Sequence, residues 1–217
     1  MCRRWQEVAS APWLWTRWPL KIRHCSTTPQ LARVASALSL PRLATLARLT
    51  VPRVTGDLSP LLTAMASHPG LIRVTFHAYL AHLEPGLLAR AVTRCSKVAM
   101  VNTQLTGQQV EAILEAVEQE GSRLHVLDLS SNDLHGVEAG LLARTVNLLE
   151  VALLGGCNLG VEQVAAVLER AGRGTRLEYL DLRGNPGVEG QQEEVVVRAK
   201  GAVKSRTRPK KASTLEL

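Results

Sequence analysis

Apolar residues along this chain alternate between two spacings. In Leu124, Leu127 and Leu129, and again in Leu177, Leu180 and Leu182, the interval ends on two, the rhythm of a short strand with one buried face. Elsewhere the interval is three or four. Val110, Ile113, Leu114 and Val117 follow Thr106 and Gly107, and Val161, Val164 and Leu168 follow Gly160. The sets Leu58, Leu61, Leu62, Met65 and Leu83, Leu87, Leu88, Val92 behave alike, so all four stretches predict amphipathic helices. Asp57 and Glu84 fall in first turns, where a carboxylate suits the helix dipole. Strand and helix thus alternate along the chain.

The alternation is an internal repeat. Residues Leu124, Leu127, Leu129, Asn132 and Leu134 fill the frame LxxLxLxxNxL at every defined position, and Leu177, Leu180, Leu182 and Asn185 fill it again through the asparagine. Weaker copies precede and separate these two: Leu46, Leu49, Val51; Leu71, Val74, Phe76; Cys95, Val98, Met100, Leu105; and Leu148, Val151, Leu153, Leu159, with Leu20 and Ile22 as a half-copy for a first strand. The copy near Gly155 and Gly156 has one residue too many, which leaves two solutions, a bulge after the strand or a frame starting at Leu149. One strand and one helix cannot bury their shared apolar face alone, so the units must stack. The fold class expected is α/β, a solenoid of about six repeats over residues 21–197, with a parallel inner sheet and outer helices. Asn132 and Asn185 would turn inward to bond backbone groups freed where the strand bends away.

Strand alternation also assigns a face. With frame positions one, four and six inward, position three lines the concave surface as Arg48, Arg73, Lys97, Val126, Glu150 and Tyr179, and position five as Thr50, Thr75, Ala99, Asp128, Ala152 and Asp181. That surface is expected to be basic towards the N-terminus and mainly acidic towards the C-terminus, Arg183 excepted, and to hold a protein partner.

Over about residues 43–190 these motifs resemble the leucine-rich-repeat superfamily, its ribonuclease-inhibitor-like subclass in particular. The N-terminus is similar to something narrower: Cys2, Arg3, Arg4, Trp5, Val8, Ala9 and Ser10, followed by Leu14 and Trp15, resemble the last third of an F-box. That resemblance implies that Cys2, Trp5, Val8, Leu14 and Trp15 face a Skp-type adaptor of a cullin-RING ubiquitin ligase, while the repeats hold the protein to be ubiquitylated. The first two F-box helices have no counterpart here, so the chain reads as an N-terminally truncated product or an alternative start. A stand-alone repeat scaffold or inhibitor is the competing reading.

Composition narrows the alternatives. Of 26 basic and 19 acidic side chains, seven and one lie in residues 198–217, which leaves residues 1–197 with 19 and 18. The body is nearly neutral, and the basic end reads either as a solvated, disordered tail or as an import signal; it holds no aromatic residue for base stacking, which argues against nucleic acid. All four tryptophans, Trp5, Trp13, Trp15 and Trp18, fall in residues 1–20, as a cap over the first repeat or as an adaptor surface. Cys2, Cys25, Cys95 and Cys157 form no CxxC pair, which suits a reducing compartment, cytoplasmic or nuclear. The Arg-rich, acid-poor start is also compatible with a mitochondrial presequence, whereas the interruptions at Gln6, Glu7, Ser10 and Pro12 argue against a secretory signal. No run is long and apolar enough for a membrane span.

No catalytic constellation emerges. Gly155, Gly156 and Gly160 lack the Lys-Ser/Thr of a phosphate loop, and His24, His68, His77, His82, His125 and His135 include no HExxH. Cys95 and Cys157 sit at core positions without a neighbouring histidine; Asp128 and Asp181 occupy one slot of different repeats, several strands apart with Ala152 between. The expectation is therefore a binding protein, monomeric apart from its partners, with no metal, cofactor or enzymatic activity.

Overall fold

The computed structural model describes residues 20–21, 27–40, 46–54, 56–119, 121–171, 176–188 and 196–197. Its elements alternate: β1 (Leu20–Lys21), α1 (Thr28–Leu38), β2 (Arg48–Val51), α2 (Ser59–Ser67), β3 (Arg73–Phe76), α3 (Pro85–Thr93), β4 (Lys97–Ala99), α4 (Gly107–Glu118), β5 (Val126–Asp128), α5 (Ala139–Val146), β6 (Val151–Leu153), α6 (Val161–Arg170), β7 (Tyr179–Asp181) and β8 (Val196–Val197). The strands form one sheet in chain order. β1 to β7 run parallel, and β8 closes the edge antiparallel to β7. This α/β architecture is compatible with a solenoid-like stack of repeats.

The four helices expected from spacing are present, and two more, α1 and α5, join them. Sequence explains the starts. Thr27 and Thr106 open α1 and α4 with capping boxes, in which Gln30 and Gln109 accept from the threonine N–H at 3.3 and 2.9 Å. Glu84 and Glu138 open α3 and α5 as N-caps; Glu138 accepts from Gly140 and Leu141 N–H at 2.8 and 2.6 Å, and Glu84 accepts from Gly86 and Leu87 in the same way. Glu84 thus lies just ahead of the first turn rather than in it. Asp57 is further out, accepting from Ser59 N at 2.9 Å and Ser59 Oγ at 2.7 Å.

One apolar cluster runs between sheet and helices through the described residues. The pairs Leu49/Val51, Val74/Phe76, Val98/Met100, Leu127/Leu129, Ala152/Leu154 and Leu180/Leu182 point into it, none more than 2% exposed. Helix residues such as Met65, Leu88, Ile113, Leu142 and Val167 cover them, all at 0%. Each neighbour therefore buries what a single unit leaves open.

The ambiguity near Gly155 is resolved in favour of the frame at Leu149. Leu149 is 1% exposed and Leu148 43%, while Ala152 and Leu154 are buried at 1% and 2%. Register agrees: Ala152 pairs with Leu127 and Leu180, and Leu153 with Asp128 and Asp181. Because the side-chain period of a strand is two, this one-residue shift exchanges the faces. Val151 and Leu153, expected inward, lie on the open face; Ala152, expected on that face, is in the core.

Candidate functional site

The site is the sheet face opposite the helices, crossed by two rows of side chains. The first row is Arg48, Arg73, Lys97, Val126, Val151 and Tyr179, and the second Thr50, Thr75, Ala99, Asp128, Leu153 and Asp181, both fixed by strand register. Arg48 and Arg73 are exposed and Lys97 is half-buried. Among the described residues none of the three makes an ion pair. Parallel neighbours stand ~4.8 Å apart, so like charges are aligned here with nothing between them.

The other half differs from expectation. The frame shift removes Glu150 from the row and places it at the rim, exposed, with Oε1 3.9 Å from His125 Nδ1. Asp181 is 8% exposed and is engaged twice by Arg183, whose Nε and Nη2 donate to its carboxylate at 2.8 and 2.6 Å. Those bonds hold the Asp181 carboxyl below its ordinary range against the opposing effect of burial. Asp128 accepts from Ser130 N and Oγ at 3.0 and 2.6 Å. What remains between β5 and β7 is a half-exposed apolar strip of Val126, Val151, Leu153 and Tyr179. The expected acidic half is therefore mostly apolar, with its acids engaged locally. Asp128 and Asp181 are also closer than expected, two strands apart with Leu153 between them.

Buried amides hold the strand-to-helix turns that frame this face. Asn132 Nδ2 donates to the carbonyls of Met100 and Leu129 at 2.6 and 2.8 Å, and its Oδ1 accepts from Thr103 and Leu105 N–H at 3.0 and 3.2 Å. Asn185 does the same with Leu154 and Leu182 carbonyls, both 2.8 Å, and with Cys157 and Leu159 N–H at 2.8 and 3.1 Å. Sequence reading missed a second pair. Gln109 Nε2 donates to Leu80 and Leu83 carbonyls at 2.7 Å each, and Gln163 Nε2 to Leu134 and Val137 carbonyls at 2.8 and 2.7 Å. The available signal was a glutamine three residues after Thr106 or Gly160, at a helix start.

The turns themselves are tight. Asn102, Ser131, Gly156 and Gly184 occupy one slot after successive strands with φ of 51, 61, 63 and 69°. Two of the four carry a side chain in the left-handed region, where glycine is favoured. Cys157 and Cys95 are fully buried, and burial pushes both thiols up to about 12, far from a nucleophile's range.

The F-box-like residues Cys2, Trp5, Val8, Leu14 and Trp15 lie outside the described residues, as do all of residues 198–217. Among the described residues no helix is long and apolar enough to cross a membrane, and no group of three His, Cys, Asp or Glu side chains could hold a metal ion. A scan against protein-family models finds no match for this chain, and neither does a search of curated proteins.

Proposed function

We propose that the chain is a leucine-rich-repeat module whose open sheet face holds a protein partner, and that it acts as the substrate-recognition subunit of a cullin-RING ubiquitin ligase of the SCF type. The observation that carries the binding role is the face from β2 to β7, which no described element covers, with cations that pair with no described acid at one end and an apolar strip at the other. An apolar centre beside polar groups is how protein interfaces are built. The ligase role rests on the N-terminal resemblance alone, through Cys2, Trp5, Val8, Leu14 and Trp15. In this reading the compartment is cytoplasmic or nuclear, and the chain binds without making or breaking bonds.

Affinity purification of the full chain from cells tests both parts. Recovery of a Skp-type adaptor and a cullin, lost on Trp5→Ala and Trp15→Ala together, supports the ligase role. A stoichiometric partner recovered without them, and lost on Leu153→Asp, leaves a stand-alone binding scaffold. A partner whose binding ignores Leu153→Asp removes the sheet face from the reading.

A further inference from the structure

The open face carries a cost to folding that nothing in the described structure offsets. Arg48, Arg73 and Lys97 stand directly opposite one another on adjacent parallel strands, where like charges destabilise pairing. Their neighbours in the next row, Thr50, Thr75 and Ala99, are neutral. The acids across the sheet cannot relieve them: Asp181 is engaged by Arg183, and Asp128 sits one strand beyond Lys97 with its carboxylate on Ser130. Beyond the cations the face turns apolar through Val151, Leu153 and Tyr179.

We infer that the occupant of this face is an extended peptide segment of a partner protein, with a cluster of carboxylates over β2 to β4 and large apolar side chains over β6 and β7. This deepens the protein-binding reading and rests on it. Charge complementarity fixes the first part and apolar area the second. Strand spacing sets their separation: β2 to β7 spans about 24 Å at ~4.8 Å per strand, the reach of roughly seven extended residues at ~3.4 Å each. The acids therefore occupy the roughly three residues at the β2 end of the segment and the apolar side chains the roughly three at its β7 end. Asp128 and Asp181 reinforce this placement, because carboxylates laid over β5 to β7 would lie beside them. Nucleic acid fits less well, since the row of cations ends at β4 and, among the described residues of the two rows, Tyr179 is the one aromatic ring.

The test is selection of random linear peptides displayed on phage against the immobilised full chain. Selected sequences should share an Asp/Glu cluster and a Leu, Ile or Phe group at opposite ends of a stretch of roughly seven residues, in one consistent order. A synthetic peptide of the selected sequence should lose about tenfold or more in affinity for R48Q/R73Q/K97Q, and that difference should vanish at ~1 M salt. It should lose a similar factor for L153D at any salt. Leu153 is half-buried, so L153D should melt with the parent, whereas R48Q/R73Q/K97Q, relieved of like charges on adjacent strands, should melt at or above it, which a thermal scan verifies.

Selection of purely apolar peptides, weakened by L153D and indifferent to the charge variant, would overturn the acidic part while leaving the face as a protein-binding surface. Selection of nothing, or tighter binding of a single-stranded RNA oligonucleotide than of any peptide, would overturn the inference altogether. Failure of the protein-binding reading is distinguished by a cellular partner whose recovery ignores L153D.

Discussion

The two halves of the sheet share a backbone and differ in how their turns are held. From β4 onwards, Gln109, Asn132, Gln163 and Asn185 each reach into the preceding turn, making two donor and at least one acceptor bond there or to their own turn. Around β2 no side-chain amide does this among the described residues. The turn is seated instead by Thr28 Oγ1, which accepts from Asp57 N at 3.0 Å, and by Gly56, where an added Cβ would lie 2.5 Å from Thr28 N. A hydroxyl bond and close backbone packing therefore seat this turn without an amide reaching across. The amides do something further, since they couple the turn of one unit to the next and give the turn carbonyls and N–H groups they reach a partner.

The largest expected effect comes from the packing common to both halves. Leu129→Ala and Leu182→Ala each should cost ~2–5 kcal/mol, because both leucines are fully buried between sheet and helices. Leu129 has units on both sides, so its loss should spread to β4 and β6. Denaturant unfolding of purified variants measures this; midpoints unchanged from the parent would break the inward assignment.

Asn132→Ala comes next and addresses the difference between the halves. It strands the N–H groups of Thr103 and Leu105 and two carbonyls, for ~1–3 kcal/mol. Hydrogen exchange should report the loss at the β4 and β5 turns and leave those after β2 and β3 protected. Uniform loss of protection would mean that the amide stabilises the whole stack and does not couple two units.

This contrast also explains how much was legible in the sequence. The frame is unmistakable where an asparagine marks it, at Asn132 and Asn185, and ambiguous where Cys157 fills the same slot, so that Leu148 was as good a start as Leu149. A cysteine there keeps one of the asparagine's contacts, since its Sγ donates to the Leu129 carbonyl at 3.2 Å as Asn132 Nδ2 does to Met100. The open face inherited that ambiguity, and with it the misplacement of Glu150 and Ala152. Helices α1 and α5 went unpredicted although Leu31, Val34, Leu38 and Leu141, Leu142, Val146 carry helical spacing; their start signals, a Thr27/Gln30 box and a Glu138 cap, precede short apolar runs. The ion pair of Asp181 with Arg183 was not foreseeable from strand alternation, since the arginine lies past the strand end and folds back.

A smaller effect concerns that pair and acid. Arg183 holds the Asp181 carboxyl below its ordinary range. A lowered folded-state value means the contribution is present above the unfolded carboxyl range and lost as pH falls through the folded value. Arg183 is half-exposed, so the contribution should be below about 1 kcal/mol. Asp181→Asn should lower stability at neutral pH and shrink its difference from the parent under strongly acidic conditions, measured as melting temperature against pH. A pH-independent difference would show that packing, not charge, is what Asp181 provides.

The smallest effect should be a gain, at the slot shared by Asn102, Ser131, Gly156 and Gly184. The later two positions hold glycine with φ of 63 and 69°, and Ser131 takes φ of 61° while bearing a Cβ. A left-handed conformation costs a non-glycine residue ~1–2 kcal/mol. Glycine removes that cost but adds ~0.5–1 kcal/mol of unfolded-state entropy to be lost on folding. The side chain of Ser131 is exposed, so little packing is forfeited. The balance for Ser131→Gly is thus a stabilisation of ~0–1.5 kcal/mol, against a clear loss for Gly184→Ala, whose added Cβ has room at 3.7 Å from Gly156 but is strained by the positive φ. Opposite signs of the two shifts in unfolding midpoint would make the slot a single geometric requirement running from β4 to β7. A destabilised Ser131→Gly would mean that the serine is held there by something its exposure does not reveal.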